Sequence, residues 1–325
     1  MTPGSRRAAL FGLLLAGAGC KKQQPPGESA VAGQPLRVAA PPTSASGVDA
    51  PRKLPQAEVT WTYATTAIGP MSAVVVVPER TAEDRFPVLV TFHGMGEARK
   101  GPAKGARGWI DDYGLLRALS RLQRPPLTNQ DLQGFADPQR LAKLNAALAK
   151  EPFRGLIVLN SYTPDMLRGE EPFSKVPPLA QFVVEELLPR VVRETPALGT
   201  AQTTGIDGIS LGGRAALSIA LRHPESFAAA GGLQPAFDLE NAGPFAARAL
   251  AARRKNPSLS FRLLSSEGDF FLASTRALST WMTQAGVPHT LVVVPGPHDY
   301  SFNRGPAVYE MLLHHDRVLR GLPPI

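Results

Sequence analysis

The chain has 325 residues, 43% of them hydrophobic and 19% charged, with a mean hydropathy of −0.07; these are the proportions of a globular protein and too apolar for a disordered one. Thirty-five Lys and Arg against 27 Asp and Glu leave a formal charge of +8, but no basic and aromatic residues interleave on a motif that grips bases, so no nucleic-acid partner is expected. The single cysteine, Cys20, excludes an intrachain disulfide framework, a cysteine-built zinc site and a cysteine-ligated iron–sulfur cluster.

The first element is a leader. Residues 5–20 read SRRAALFGLLLAGAGC: a basic start at Arg6 and Arg7, an apolar run from Ala8 to Gly19, then Cys20 after three small residues. The run is too short to span a bilayer as a helix. It resembles a bacterial lipoprotein signal, in which the cysteine becomes the lipid-bearing first residue, although Gly17 stands where that family usually has Leu. Ser5-Arg6-Arg7 also looks like part of a twin-arginine signal, and an ordinary secretory leader is the plainer alternative. Export to the cell envelope is expected, with Cys20 as lipid anchor and a membrane as partner; the route stays open. Residues 21–56 are rich in Pro, Ala, Gly, Ser and Gln. Such a segment buries too little apolar surface to offset its ordering entropy, so it is expected to be a disordered tether.

From residue 57 to 325 the chain alternates strand-like and helix-like runs. Strands are expected at Val59–Thr66, Met71–Val77, Val88–Phe92, Leu156–Asn160, Thr203–Ile209, Ala228–Leu233, Leu259–Leu264 and Thr290–Val294. Helices are expected at Tyr113–Leu122, Pro138–Lys150, Leu179–Arg193, Leu211–Arg222, Phe245–Arg254, Phe271–Gln284 and Ala307–Arg320. An opening hairpin followed by this alternation implies an α/β fold: a mostly parallel sheet of about eight strands with helices on both faces. In such sheets ligands bind beyond the carboxyl ends of the strands, so the residues just after each strand are the place to look for chemistry.

Gly208-Ile209-Ser210-Leu211-Gly212 is a G-x-S-x-G pentapeptide with a strand-like run before it and a helix-forming run after it. A sharp strand-to-helix turn would raise the Ser210 hydroxyl above the sheet, and glycines at its flanks avoid a Cβ clash. The hydroxyl needs a base. His298 follows the last strand in Pro295-Gly-Pro-His298-Asp, whereas His93, His223, His289, His314 and His315 are less suited by position. The orienting acid is expected at Asp269, just past the penultimate strand, with Asp238 as runner-up; Asp299 reads as a turn residue. Leu211's backbone N–H supplies one oxyanion donor. The second is expected in Phe92-His93-Gly94-Met95-Gly96-Glu97, with Met95 first and Gly94 next. His93, Gly94, Trp109, Tyr162 and Phe270 are candidates for the substrate pocket, and Phe237 and Tyr300 stand near it.

His93-Gly94, the pentapeptide, Asp269, the Pro-Gly-Pro-His298 turn and Arg222-His-Pro-Glu-Ser-Phe227 together resemble the α/β-hydrolase fold. They are most similar to its esterase branch, which includes esterase D-like and feruloyl-esterase-like enzymes, over approximately Pro55 to Gly321. The resemblance implies hydrolysis of a carboxylic ester, small or polymer-linked, through a serine acyl-enzyme and without metal or organic cofactor. An acyltransferase or peptidase on the same residues, and a non-catalytic envelope lipoprotein, are the alternatives. The insertion at residues 100–153 matches no family motif and is expected to cover or wall the pocket.

Overall fold

The computed structural model describes residues 55–169 and 171–325. The leader, Cys20 and the tether as far as residue 54 lie outside the described residues.

Eight strands form one sheet: β1 (Ala57–Tyr63), β2 (Met71–Val77), β3 (Val88–Phe92), β4 (Ile157–Ser161), β5 (Thr204–Gly208), β6 (Ala229–Leu233), β7 (Ser260–Gly268) and β8 (His289–Pro297). Their order is β1-β2-β4-β3-β5-β6-β7-β8. β1 and β2 pair antiparallel, β2 joins β4 antiparallel, and every pair from β4 onward is parallel. Strands β2 to β6 are buried along their whole length, because helices cover both faces. Alternate residues divide between those faces. Val75, Val90, Leu159 and Ile206 pack with the helices Leu211–Arg222, Ala242–Lys255 and Leu272–Gln284, whereas Val76, Leu89, Val158 and Ile209 pack with Leu115–Leu122, Pro138–Lys150 and Val308–Val318.

The parallel register carries the carboxyl ends of β3, β4 and β5 to one edge, where Phe92 is paired with both Ser161 and Gly208. Strands β7 and β8 run further than their apolar cores indicated. Ser266 pairs with Val294 and Gly268 with Pro297 across an irregular step, so both strands reach the residues just before Asp269 and His298. Polar Ser265, Ser266 and Glu267 concealed this extension, since its stability comes from the neighbouring strand rather than from hydrophobic patterning.

The expected helix Leu179–Arg193 is instead three joined segments: Val176–Gln181, a wide π turn at Phe182–Leu187, and Leu188–Glu194. Pro189 lacks the N–H that an α turn would require there, and the helix widens ahead of it. Part of the insertion folds into short helices, Gly101–Gly105 and Gly108–Asp111, that its Gly and Pro content had concealed.

Candidate active site

Strand β5 ends at Gly208 and the helix Leu211–Arg222 begins three residues later, leaving Ser210 between them at φ 56°, ψ −119°. That backbone conformation is costly for a non-glycine residue and persists only where the surroundings hold it. Here Ser210 N donates to Leu233 O at 2.9 Å, and Ser210 O accepts from Arg214 N and Ala236 N at 3.1 and 3.0 Å. The flanking glycines are sterically required. A Cβ on Gly208 would lie 2.5 Å from the Gly212 backbone, and one on Gly212 would lie 2.4 Å from His93 O. The loop after β3 passes directly by the serine, because a Cβ on Gly94 would stand 3.8 Å from Ser210 Cβ.

Asp269 is buried and receives three hydrogen bonds: His298 Nδ1 at 2.8 Å and Phe271 N at 2.9 Å on Oδ1, and Ser265 Oγ at 2.6 Å on Oδ2. A carboxylate only accepts, so His298 carries its proton on Nδ1 and keeps the Nε2 lone pair for another partner. The Phe270 ring stacks on His298 with centroids 4.1 Å apart, while Phe270 itself is 57% exposed. Asp238 lies elsewhere, 3.4 Å from Arg214 and 3.3 Å from Asn241. Asp299 caps the next turn by accepting from Ser301 N and Phe302 N at 2.8 and 3.2 Å. Arg214 lies over the Phe173 ring at 3.9 Å.

His93 is buried with both ring nitrogens engaged. Thr163 N donates to its Nε2 at 2.9 Å, so Nδ1 carries the proton and donates to Gly94 O at 2.9 Å. Burial pushes its pKa down to about 4, against the opposing pull of the Gly94 carbonyl. This neutral imidazole therefore ties the loop after β3 to the loop after β4. It offers no surface to a substrate, which corrects its place among the pocket candidates.

Gly94 N is not free for an oxyanion, since it donates to Tyr113 Oη at 3.1 Å. That removes it as the alternative donor. Met95 and Leu211 stand at the first positions of their helices, where a backbone N–H has no acceptor within the helix. Trp109 is 1% exposed and packs edge-on against Tyr113 at 5.1 Å, so it backs the wall of the site rather than lining it. Tyr162 donates to Ala98 O at 2.9 Å and lines an open cleft of about 440 Å³ with Arg99, Pro102, Asp165, Arg168 and Lys175. That cleft lies at the β2 and β4 end of the same edge, and Ser210, Asp269 and His298 are not among its walls.

Two residues of the site went unnoticed in the sequence. Gln234, buried at φ 44°, ties three strand ends together by donating to Ser266 Oγ at 2.7 Å and Pro297 O at 2.9 Å, while its own N–H donates to Leu264 O. Glu97, 1% exposed, accepts from the hydroxyls of Tyr113 and Tyr300. Its partners are 16 and 203 residues away, and no local pattern could have joined them.

Comparison with known proteins agrees with this architecture. A family model described as Putative esterase matches residues 170–302. No curated protein matches the sequence. Among solved structures, a ferulic acid esterase superposes with a TM-score of 0.60 at 18% identity, covering 82% of this chain and 99% of its own. An S-formylglutathione hydrolase from Staphylococcus aureus gives 0.58 at 14% identity, covering 80% and 99%. Another, from Agrobacterium tumefaciens, gives 0.53 at 18% identity, covering 81% and 96%. The chain has the α/β-hydrolase fold, and the matched residues 170–302 contain Ser210, Asp269 and His298.

Proposed function

We propose that this chain is a serine ester hydrolase whose acyl-enzyme forms on Ser210. The observation that carries the reading is the His298–Asp269 hydrogen bond of 2.8 Å, set on the same sheet edge as the strained turn at Ser210. The Asp269 carboxylate holds the imidazole in the tautomer that leaves Nε2 basic. His298 removes the Ser210 proton as Oγ attacks the ester carbonyl, and Asp269 stabilises the imidazolium that results. The Met95 and Leu211 N–H groups receive the oxyanion of the tetrahedral intermediate. His298 then gives its proton to the departing alcohol. Water attacks the acyl-enzyme by the same steps in reverse and frees the acid and Ser210.

The ferulic acid esterase and S-formylglutathione hydrolase likenesses, together with the esterase model, favour a carboxylic or thiol ester. The Phe270 ring beside His298 supplies an apolar surface for the acyl group. Cys20 as a lipid anchor, with the Pro-rich segment as tether, would hold the domain at the cell envelope. Turnover of p-nitrophenyl acetate by the full chain and by Ser210→Ala tests the chemistry. Loss of the nucleophile should lower kcat by about 10⁶, and equal rates for the two proteins would refute it. Mass spectrometry of the mature N-terminus tests the anchor: an acylated Cys20 is expected, and an unmodified terminus at another residue would overturn it.

A further inference from the structure

Glu97 is a buried carboxylate beside the site, and a charge so placed persists only if it is paired and hydrogen-bonded. Its partners are distributed in an informative way. Tyr113, from the insertion, donates to Oε2, and the Tyr113 oxygen in turn accepts from Gly94 N at 3.1 Å. Tyr300, two residues beyond His298, donates to Oε1 at 2.7 Å. Lys100 approaches Oε1 at 3.6 Å and is itself held by Asp112 at 2.6 Å. One carboxylate thus joins the oxyanion loop, the insertion and the histidine loop.

The packing around it leaves no slack. A Cβ on Gly108 would lie 2.5 Å from Glu97 Cγ, one on Gly105 2.7 Å from Glu97 O, and one on Gly96 2.5 Å from Tyr300 Oη. Burial first, and Glu97 second, raise the ionisation of both phenols above the ordinary tyrosine range, so both remain protonated donors. Met95, whose N–H is assigned to the oxyanion, lies between Gly94 and Gly96. Both neighbours are held by this network, Gly94 through its N–H and Gly96 through contact with Tyr300.

We propose that Glu97 is a positioning residue which, through Tyr113 and Tyr300, fixes the Met95 N–H against the His298 loop for the oxyanion step. The carboxylate touches no reacting atom. It sets the distance between the loop that stabilises negative charge and the loop that moves the proton. Misplacement of such a donor by about 1 Å costs on the order of 10²-fold in rate, so partial loosening should cost less than that and should spare substrate binding.

The inference rests on the reading of Ser210 as nucleophile, and Ser210→Ala is assayed beside the variants to separate the two. The variants are Glu97→Gln, Tyr113→Phe and Tyr300→Phe in the full chain. Each is measured for melting temperature, for kcat and KM on p-nitrophenyl acetate, and for inhibition by phenylboronic acid, which forms a tetrahedral adduct on a nucleophilic serine. Each variant is expected to lose about 10-fold in kcat with KM within about 2-fold, and boronate affinity should fall in parallel, because only the transition state uses the donor. Combining Tyr300→Phe with Glu97→Gln should cost less than the product of the single losses. Tyr300 is 39% exposed, so its variant tests the idea even if the buried ones fold poorly. Lowered melting temperatures with unchanged kcat and boronate affinity would overturn the proposal. An inactive wild type, equal to Ser210→Ala, would instead overturn the reading of the nucleophile.

Discussion

At the scale of single residues, the choice between Asp269 and Asp238 is a question of what each carboxylate is already bonded to. Asp269 spends both oxygens inside the fold, on His298, Phe271 and Ser265. Asp238 is 67% exposed and engages Arg214 at 3.4 Å. An amide at position 269 could turn an N–H toward His298 Nδ1, forcing the imidazole proton onto Nε2 and removing the base. Asp269→Asn is therefore expected to lower kcat by about 10⁴ with little change in melting temperature, whereas Asp238→Asn should stay within about 2-fold of wild type because its pair is solvent-screened. Steady-state kinetics on one ester compares them directly; the reverse order of effects would transfer the role to Asp238. His93 shows the opposite lesson. Its position just after β3 made it conspicuous, yet two backbone partners at 2.9 Å use both ring nitrogens, and the residue is scaffold.

At the scale of elements, the turn at Ser210 was legible because its requirement is local. Two glycines at fixed offsets are demanded by backbone atoms within 2.5 Å of where a Cβ would stand. Gly212→Ala should therefore push the helix Leu211–Arg222 away from β3 and carry the Leu211 N–H with it. The expected loss is about 10²-fold or more in kcat, with a lowered melting temperature. Gly243→Ala is the control, since it stands in the first turn of the helix Ala242–Lys255 and its Cβ would meet Trp281 at an ordinary 3.5 Å. Wild-type kcat in Gly212→Ala would contradict this account of the turn. The elements around Glu97 were not legible for a related reason. Gly101, Pro102, Gly105 and Gly108 read as loop, but in the fold two of them are glycine so that Glu97 and Tyr162 can approach. The extensions of β7 and β8 were hidden similarly, because their pairing is long-range while their own residues are polar in β7 and the turn-forming Pro295-Gly296-Pro297 in β8. The order of strands and helices survived these local losses, since the buried β2, β3 and β4 are mainly Val, Leu and Ile.

At the scale of the whole molecule, the fold buries several titratable groups, and their balance sets how it responds to acid. Burial lowers the pKa of His93 to about 4 and that of His314 well below its ordinary value, with Arg262 adding to the latter. His315 is lowered by burial despite its 2.9 Å bond to Asp207. Asp207 also ends below the usual carboxylate range: burial pulls it upward, but Arg262 at 2.8 Å and His315 outweigh that. Asp316 runs the other way, raised by burial against Arg320. An unfolded histidine titrates near 6.5, so from about pH 6.5 down to pH 4 the unfolded chain binds protons that folded His93 refuses. Stability must fall with pH across that window, by roughly 3 kcal/mol for His93 alone; His314 and His315 add to the same slope. Asp207 withdraws its contribution only at lower pH, below the unfolded carboxylate value, whereas Asp316, raised above that value, regains stability as pH falls through its folded pKa and offsets part of the histidine loss. Urea denaturation of the full chain at pH 7 and pH 4.5 should show the decline. His93→Gln should lower stability at neutral pH, because no amide spans both Thr163 N and Gly94 O, yet it should reduce the pH slope by about one proton. A slope unchanged by that substitution would mean that His93 is protonated in the folded protein. The ring could not then accept from Thr163 N, and the tie between the loops after β3 and β4 would have to be made by other groups.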